Sequence, residues 1–307
     1  MGTPEIACPA LEAVVKAGHR VLRVYTQPDR PAGRGRKLAR CQVASLADEF
    51  GLLVSQPRRI KDDVDELKGL EAEVLCVMAF GQILPQAVLD AFLLGCVNVH
   101  TSLLPLLRGA SPINQAIIQG HSQTGVTTMF MDAGMDTGDI IFQQSTAIGP
   151  QETAGSLARR LSRMGAELLL RTLDALAAGD APRIPQDHGR ATHAPLLQKS
   201  DGQVEWDRPA AELDRRLRGL DPWPGAYTTL GNTPLKLFPP TALDDRETGQ
   251  DPGVLVAPSD GRDEFMWVAC GRGALGVGQV QAAGKKRMPA GQFLRGARLG
   301  PGIRLGD

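Results

Sequence analysis

The sequence predicts an α/β fold with a mostly parallel sheet, followed by a second, smaller domain built as a β-barrel. In the first 180 residues, short apolar runs alternate with amphipathic segments, which is typical of βαβ units. Beyond residue 203, short apolar runs are separated by Gly, Pro and Asp, which is typical of small barrels. A length of 307 residues also exceeds one ordinary domain. We therefore expect domains at 1–180 and 203–307, joined by a linker at 181–202.

The elements of the first domain follow from its apolar runs and helical periods. Expected strands cover 21–26, 52–56, 73–80, 96–100, 125–131 and 139–148. Expected helices cover 5–17, 42–50, 62–69, 85–93, 112–119 and 153–178. Ligands of such sheets bind beyond the carboxyl ends of the strands. The residues that follow 96–100 and 125–131 are therefore candidates for a binding site.

Beyond residue 180 the sequence predicts a linker and then the elements of the second domain. Residues 181–202 are rich in Pro, Gly and polar side chains without a sustained period, which favours a linker. A short helix is expected at 208–219. The strand-like segments of the second domain are GAYTTLGNTPLKLF, GVLVA, EFMWVAC and ALGVGQVQ.

Composition excludes several classes of protein. A membrane span needs about 18 or more consecutive apolar residues, and neither such a run nor a secretory signal is visible, so we expect a cytoplasmic protein without a membrane partner. The five cysteines are odd in number and scattered, which favours reduced thiols over a disulfide or zinc framework. No metal is expected.

Charge is balanced overall but unevenly distributed. The 34 basic and 34 acidic residues cancel, so net charge predicts no polyanionic partner. Residues 30–47 nevertheless contain five basic residues and 265–306 contain seven, without an acid in either stretch. Each stretch alone could be ordinary solvated surface. Together they could form one positive face for a nucleic acid if the domains fold toward each other.

Two polar side chains lie near the end of a strand in the segment GCVNVHTSLLP, residues 95–105. Asn98 and His100 are two residues apart and therefore project from the same face of the strand. An amide and an imidazole at a strand end suit catalysis, although a hydrogen-bonded pair that caps the strand is the commoner explanation for an isolated Asn-x-His. The segment MDAGMDTGD, 131–139, follows another predicted strand and carries three aspartates.

Four segments together resemble the methionyl-tRNA formyltransferase family: NVHTSLLP, MDAGMDTGD, FGQILP and TQPDRPAGRGRKL. The similarity continues through HAPLLQKSDGQVEW, LRGLDPWPGAYT and AGKKRMPAGQFLRG. The resemblance implies a Rossmann-like formyltransferase domain and an OB-like tRNA-binding domain. It implies 10-formyltetrahydrofolate as formyl donor, tetrahydrofolate as product and initiator methionyl-tRNA as acceptor. A monomer is the default expectation for the oligomeric state, which the sequence does not disclose.

The resemblance also implies a catalytic set of Asn98, His100 and Asp136. When an amine attacks a formyl carbon, negative charge develops on the formyl oxygen, and the two nitrogen-bearing side chains can donate to it. Asp136 is expected to favour the protonated imidazole and to accept the proton of the amine. We prefer Asp136 to Asp132 and Asp139 because it precedes Thr-Gly-Asp, whereas the other two are expected to form turns or caps.

Binding residues are implied in the same way. The folate site would be lined by Ser102, Leu103, Leu104, Pro105, Phe80, Gly81 and Ile83. In the family the arginine-rich loop contacts the acceptor arm of tRNA, which implies Arg34, Arg36 and Lys37 as contacts. In the second domain we expect Lys285, Lys286 and Arg287 to contact phosphates. Arginine suits phosphate because its planar guanidinium donates two parallel hydrogen bonds.

Other functions remain open on the residues alone. The same donor could serve another amine, such as an amino sugar or a purine precursor, or water in a hydrolase. A non-catalytic RNA-binding protein is a further alternative. Relatives with other acceptors lack the arginine-rich loop, and an RNA-binding relative would not need Asn98, His100 and Asp136, so both alternatives are disfavoured.

The start of the chain departs from the family pattern, in which an apolar strand precedes Gly-Thr-Pro. Here Met1 is followed at once by GTPE. Five buried apolar side chains at roughly 1.5–3 kcal/mol each would equal a typical domain stability of about 5–15 kcal/mol.

We therefore expect the natural chain to begin about five to ten residues earlier, because a buried central strand is too large a loss for a domain to tolerate. Intact mass spectrometry of the protein from its native source tests this. A mass equal to the 307-residue chain contradicts it.

Overall fold

The computed structural model describes residues 1–32, 37–259 and 261–306. Two compact units are present. The first combines residues 1–112, 123–146 and 158–194, and the second combines 113–122, 147–157 and 195–307.

The helices and strands follow the predicted order closely. The helices are α1 (Cys8–Lys16), α2 (Gln42–Glu49), α3 (Val64–Gly69), α4 (Gln86–Leu89), α5 (Pro112–Ile118), α6 (Ala154–Ala178), α7 (Ala210–Leu220) and α8 (Ala290–Ala297). The strands are β1 (Val24–Tyr25), β2 (Arg30–Ala32), β3 (Lys37–Ala39), β4 (Val54–Ser55), β5 (Leu75–Val77), β6 (Cys96–His100), β7 (Arg108–Gly109), β8 (Gln123–Phe130), β9 (Ile140–Ala147), β10 (His193–Ala194), β11 (Ala226–Leu230), β12 (Thr233–Asp244), β13 (Met266–Ala269), β14 (Ala274–Ala282) and β15 (Met288–Pro289). The strand predicted at 96–100 has the predicted bounds.

The main sheet of the first unit is mixed, so the prediction of a mostly parallel sheet needs correction. Its strand order is β5-β6-β8-β9. β5 is parallel to β6, as β1 is to β4, but β6 and β8 are antiparallel. His100 lies opposite Thr127 and Val97 lies opposite Phe130, so residues 101–122 return the chain to the end of the sheet at which β6 finishes. A parallel neighbour would require a crossover to the other end.

The antiparallel direction of β8 determines at which end of the sheet the segment 131–139 begins. The N–H of Met131 bonds to the carbonyl oxygen of Cys96, the first residue of β6, at 2.8 Å. The carboxyl ends of β6 and β8 therefore lie at opposite ends of the sheet. The loop 131–139 has to fold back if Asp136 is to reach Asn98 and His100.

Residues 1–3 lie between β1 and β5. The N–H of Gly2 bonds to the Tyr25 carbonyl oxygen at 3.0 Å, and the N–H of Met78 bonds to the Met1 carbonyl oxygen at 2.9 Å. The amino group of Met1 donates to the Cys76 carbonyl oxygen at 2.6 Å, and burial lowers its pKa. Beside these residues is a cavity of about 400 Å³, whose apolar lining includes Leu11, Val14, Leu75, Leu169 and Leu173.

The core of the first unit is formed by the inner faces of the strands and the helices that cover them. Tyr25, Leu67, Leu75, Phe80 and Val88 belong to one buried cluster on this sheet. These residues come from two strands, two helices and the turn after β5, so the cluster joins elements distant in sequence. Burial of each such side chain contributes about 1.5–3 kcal/mol.

The second unit contains an antiparallel sheet in the order β11-β12-β14-β13, with β15 paired to β14. The long strand β12 shifts register between Phe238 and Thr241, where two prolines interrupt the ladder. Helix α7 covers this sheet with Leu213 and Leu217, which are one helical turn apart and buried. The second unit thus contains an antiparallel sheet covered by a helix.

Tyr25 allows a test of this packing. Its hydroxyl lies 3.3 Å from Glu66 Oε1, and burial together with that carboxylate raises the pKa of Tyr25 to about 12. A raised acid pKa means that folding favours the neutral phenol. The contribution of neutral Tyr25 to the free energy of unfolding is therefore fully present below pH 10 and is lost as the pH rises from 10 toward 12.

We expect a Tyr227→Phe variant, in which Tyr25 is the remaining tyrosine of two, to titrate with a midpoint near pH 12 in the folded state. Absorbance at the phenolate band measures this, with the denatured protein as control. A folded-state midpoint equal to that of the denatured chain contradicts the packing described for Tyr25.

Candidate active site

Asp136 is the centre of a group of polar side chains in the first unit. Its Oδ1 accepts a hydrogen bond from the Asn98 amide, with Nδ2 and Oδ1 3.4 Å apart. Its Oδ2 accepts a bond from the backbone N–H of Gly109 at 2.8 Å and lies 3.7 Å from Nδ1 of His100. The loop 131–139 therefore does fold back to β6. Two of the side chains expected to be catalytic, Asn98 and His100, thus lie beside the carboxylate of the third, Asp136.

The ring of His100 is buried and oriented by the backbone. It is 6% exposed, and its Nε2 lies 3.0 Å from the carbonyl oxygen of Leu107. A carbonyl oxygen only accepts hydrogen bonds, so this contact assigns a proton to Nε2. Nδ1 is then the ring nitrogen that faces Asp136.

The backbone beside this group adopts conformations that are rare outside glycine. Asp136 has φ 55° and Leu107 has φ 58°, both in the left-handed region. Aspartate is enriched in this region, whereas a leucine there is uncommon. Such residues cluster at functional sites, where surrounding contacts maintain them. Gly138 completes the loop, since a Cβ there would lie 2.0 Å from the carbonyl oxygen of Phe130.

The other two aspartates of the loop have structural partners. Asp132 Oδ1 accepts bonds from the N–H of Gly134 at 3.0 Å and the hydroxyl of Thr137 at 2.6 Å, which forms a turn. Asp139 Oδ2 lies 3.9 Å from Arg183 Nη1. Asp132 therefore forms the expected turn, whereas Asp139 forms an ion pair in place of the expected turn or cap.

The residues expected around the folate differ in accessibility. Leu103 and Pro105 are half-buried, and Ile83 is 85% exposed. Three others are buried: Ser102, whose hydroxyl donates to the Leu106 carbonyl oxygen at 2.6 Å, Leu104 and Phe80. Gly81 is exposed, with φ 78°. In the described part of the chain, no hydrogen bond joins 80–83 to 102–105.

The residues expected to contact tRNA are only partly described. Arg34 and Arg36 lie outside the described residues, and Lys37 begins β3. Lys285, Lys286 and Arg287 are exposed in and beside the turn between β14 and β15. The guanidinium of Arg287 stacks 4.2 Å from the Phe238 ring and donates to the Pro239 carbonyl oxygen at 3.1 Å.

Sequence reasoning missed the residues that support Asp136. Gly109 donates to its carboxylate, and Gln186 donates to the carbonyl oxygens of Asp136 and Gly138. Gln186 lies within 181–202, the segment expected to be a linker. The side chain of Arg108, which bonds to Gln186, is 5% exposed. The sequence signal for this pair is weak, because neither residue lies in a periodic segment.

Three features bear on other kinds of function: the thiol of Cys96, the placement of possible metal ligands, and the length and polarity of the helices. Burial raises the pKa of the Cys96 thiol, at the start of β6, to about 12, so this cysteine is not a nucleophile at neutral pH. Within residues 1–32, 37–259 and 261–306, no three ligating side chains form a potential metal site. Nor does any helix in those ranges have the length and apolar character needed to cross a bilayer.

Comparison with known proteins gives concordant matches. Residues 1–173 match the formyl transferase family, and 196–298 match the family described as formyl transferase, C-terminal domain. All of the chain aligns at 46% identity with methionyl-tRNA formyltransferase of Geobacter sulfurreducens, covering 96% of that protein. The methionyl-tRNA formyltransferase of Citrifermentans bemidjiense is also 46% identical, with 95% covered.

A solved structure shows the same fold at low identity. The N-formyltransferase from Helicobacter canadensis, in complex with folinic acid and dTDP-3-aminofucose, superposes with a TM-score of 0.67. The identity is 17%, over 92% of this chain and 97% of that one. The chain belongs to the formyl transferase family, among full-length relatives that are named methionyl-tRNA formyltransferase.

Proposed function

We propose that this chain transfers the formyl group of 10-formyltetrahydrofolate to the α-amino group of methionyl-tRNA. The products are tetrahydrofolate and N-formylmethionyl initiator tRNA, which is used in translation initiation. The observation that carries the proposal is the Asp136 carboxylate held beside the Asn98 amide and the His100 imidazole. The names of the full-length relatives support the choice of acceptor.

The reaction makes three demands on the protein. The amine attacks the formyl carbon, so negative charge develops on the formyl oxygen. The attacking nitrogen must lose a proton, and the bond from the formyl carbon to the folate nitrogen must break. A site for this reaction therefore needs hydrogen-bond donors at the oxygen and a proton acceptor near the amine.

The three central side chains meet these demands. Asn98 supplies a neutral amide donor. His100 donates from Nδ1 in its protonated, imidazolium form, in which Nε2–H is at the same time bonded to the Leu107 carbonyl oxygen. Asp136 accepts the proton of the amine, directly or through an ordered water, and this proton is passed to the folate nitrogen as its bond to the formyl carbon breaks, which gives tetrahydrofolate. We therefore assign Asn98, His100 and Asp136 as the catalytic residues.

The residues assigned to 10-formyltetrahydrofolate suit a flat ring system with a polar edge. This co-substrate supplies the activated formyl group. The half-buried side chains of Leu103 and Pro105 and the exposed side chain of Ile83 offer apolar surface, and the backbone at Gly81 offers polar groups. The buried side chains of Ser102, Leu104 and Phe80 anchor the segments 102–105 and 80–83 in the protein interior.

The tRNA is assigned to two basic segments. Phosphate contacts from such segments supply affinity rather than sequence reading. The exposed turn after β14 suits this role because its charges face solvent. The assigned residues are Arg34, Arg36 and Lys37 for the acceptor arm, and Lys285, Lys286 and Arg287 in the second domain.

The domain plan is part of the same proposal. Residues 1–180 carry the chemistry, 181–202 lead to the second domain after Gln186 and β10 have packed on the first unit, and 203–307 bind tRNA. We also propose an OB-like barrel for the last segment, since the register shift in β12 would help its sheet to curl. A cytoplasmic monomer fits substrates that are charged tRNA and reduced folate.

The purified protein, given 10-formyltetrahydrofolate carrying a labelled formyl group, should formylate charged initiator tRNA. Free methionine, run beside it, should be a far poorer acceptor because it lacks the phosphates that the basic segments contact. Label recovered in acid-precipitable tRNA measures the reaction. Equal efficiency with the free amino acid would overturn the proposed acceptor.

His100→Ala should lower kcat by about 100- to 1000-fold, because a donor to the developing oxyanion is lost. Its tRNA affinity should stay within about twofold of the parent, since phosphate contacts are untouched. Arg34→Ala is the contrasting variant, with a defect in tRNA-dependent kinetics and unchanged folate binding. A His100→Ala defect confined to tRNA affinity, or an Arg34→Ala defect in folate affinity, would contradict these assignments.

A further inference from the structure

We infer that Gln186 is a positioning residue for Asp136 and acts by holding the backbone of the loop 131–139. The inference rests on the proposed catalytic role of Asp136. Gln186 lies far along the chain from the two segments that contain the proposed catalytic residues, NVHTSLLP and MDAGMDTGD. Gln186 is 6% exposed, so its amide makes its hydrogen bonds inside the protein.

The donor side of the Gln186 amide is directed at the loop. Its Nε2 donates to the carbonyl oxygen of Asp136 at 2.9 Å and to that of Gly138 at 2.7 Å. Both amide hydrogens are therefore used on residues that flank the turn. The carbonyl of Asp136 belongs to the same residue whose carboxylate contacts Asn98 and His100.

The acceptor side of the amide is held by Arg108. The guanidinium donates to Gln186 Oε1 from Nε at 3.1 Å and from Nη2 at 2.6 Å. A guanidinium has no acceptor, so the amide must present its oxygen to Arg108 and its nitrogen to the loop. Arg108 is itself 5% exposed, and its Nη2 lies 3.2 Å from Nδ1 of His188.

Arg108 connects Gln186 to the backbone that contacts His100 and Asp136. Its neighbour Gly109 donates to Asp136 Oδ2, and its neighbour Leu107 accepts from His100. Strand β7, which contains Arg108, pairs with β10 just beyond Gln186. Gln186 therefore lies where the loop that orients His100 and the loop that carries Asp136 are tied together.

The physical role follows from the strained turn. Asp136 has a positive φ, which aspartate adopts more readily than most residues but less readily than the right-handed region, so contacts to its carbonyl help to fix this conformation and the direction of its carboxylate. Loss of the Gln186 amide would leave two carbonyl oxygens without their donor, and the turn would relax. A displacement of about 1 Å in a catalytic group can lower a rate by about 100-fold.

The central test is Gln186→Leu, which keeps the size of the side chain and removes both hydrogen-bonding functions. We expect kcat for formyl transfer to fall by about 10- to 100-fold per active site. KM for the folate and for the charged tRNA should change by no more than about twofold, because the buried Gln186 amide bonds to Arg108 and to the loop 131–139. Active sites are counted by titration with the folate, so that unfolded protein does not enter kcat.

Gln186→Glu separates the two sides of the amide. The carboxylate can still accept from Arg108, which supports folding, but at about pH 8 it has no hydrogen for the carbonyl oxygens of 136 and 138. We expect its kcat to fall at least as far as that of Gln186→Leu. A Gln186→Glu enzyme with parental kcat would overturn the inference.

A double-mutant cycle with Asp136→Asn distinguishes positioning from general stability. If Gln186 acts through Asp136, adding Gln186→Leu to Asp136→Asn should lower kcat by less than about twofold further. Multiplicative losses would indicate a structural role and would overturn the inference. Asp136→Asn with parental kcat would instead overturn the proposed function. An inactive Asp136→Asn beside a fully active Gln186→Leu would overturn this inference alone.

A matched control is Asn114→Leu. Asn114 is also an amide that donates to a backbone carbonyl oxygen, that of Gly219 at 2.7 Å, but it belongs to the second unit. Its loss should lower the melting temperature and leave kcat per active site within about twofold of the parent. An equal loss of kcat in this control would show that Gln186 has no particular link to Asp136.

Discussion

The arrangement of the site depends on the hydrogen bonding of one carboxylate. Asp136 accepts from the backbone of Gly109 and from the side chain of Asn98, and it faces His100. Two irregular loops and strand β6 therefore meet at a single side chain. A carboxylate shielded from water is costly unless it is hydrogen-bonded, so each of these elements stabilises the position of the others. That mutual dependence lets loops, rather than a rigid ladder, hold a specific geometry.

The antiparallel strand β8 explains how this meeting is possible. Because β8 runs back along β6, the loop that follows it begins level with Cys96 and returns toward Asn98 and His100. The polar groups thus collect beside buried strands rather than at an open edge. In a setting of lower dielectric, hydrogen bonds to a developing charge are worth more than in water.

Much of the fold and part of the site could be predicted from the sequence, for identifiable reasons. Strand alternation places Asn98 and His100 on one face, and the bounds of β6 agree with the prediction. Strand direction could not be predicted, because an apolar run has the same pattern whichever way the strand points. Gln186 was missed because it bonds to backbone carbonyl oxygens, which every residue carries. Asp136 was identified by its motif, whereas its distance from Asn98 depends on the fold.

The short two-stranded ribbon of β1 and β4 is joined to the main sheet through residues 1–3. Residues 1–3 link it to β5 through backbone hydrogen bonds, beside a cavity of about 400 Å³. Packing transmits displacement efficiently only where atoms are in contact. The ribbon is joined to β5 by the hydrogen bonds of residues 1–3 and by the buried side chain of Tyr25, and its packing is interrupted on the side of the cavity. Atoms that line a cavity have no contact partner on that side, so side chains such as Leu11 and Val14 have room there to change rotamer without a clash.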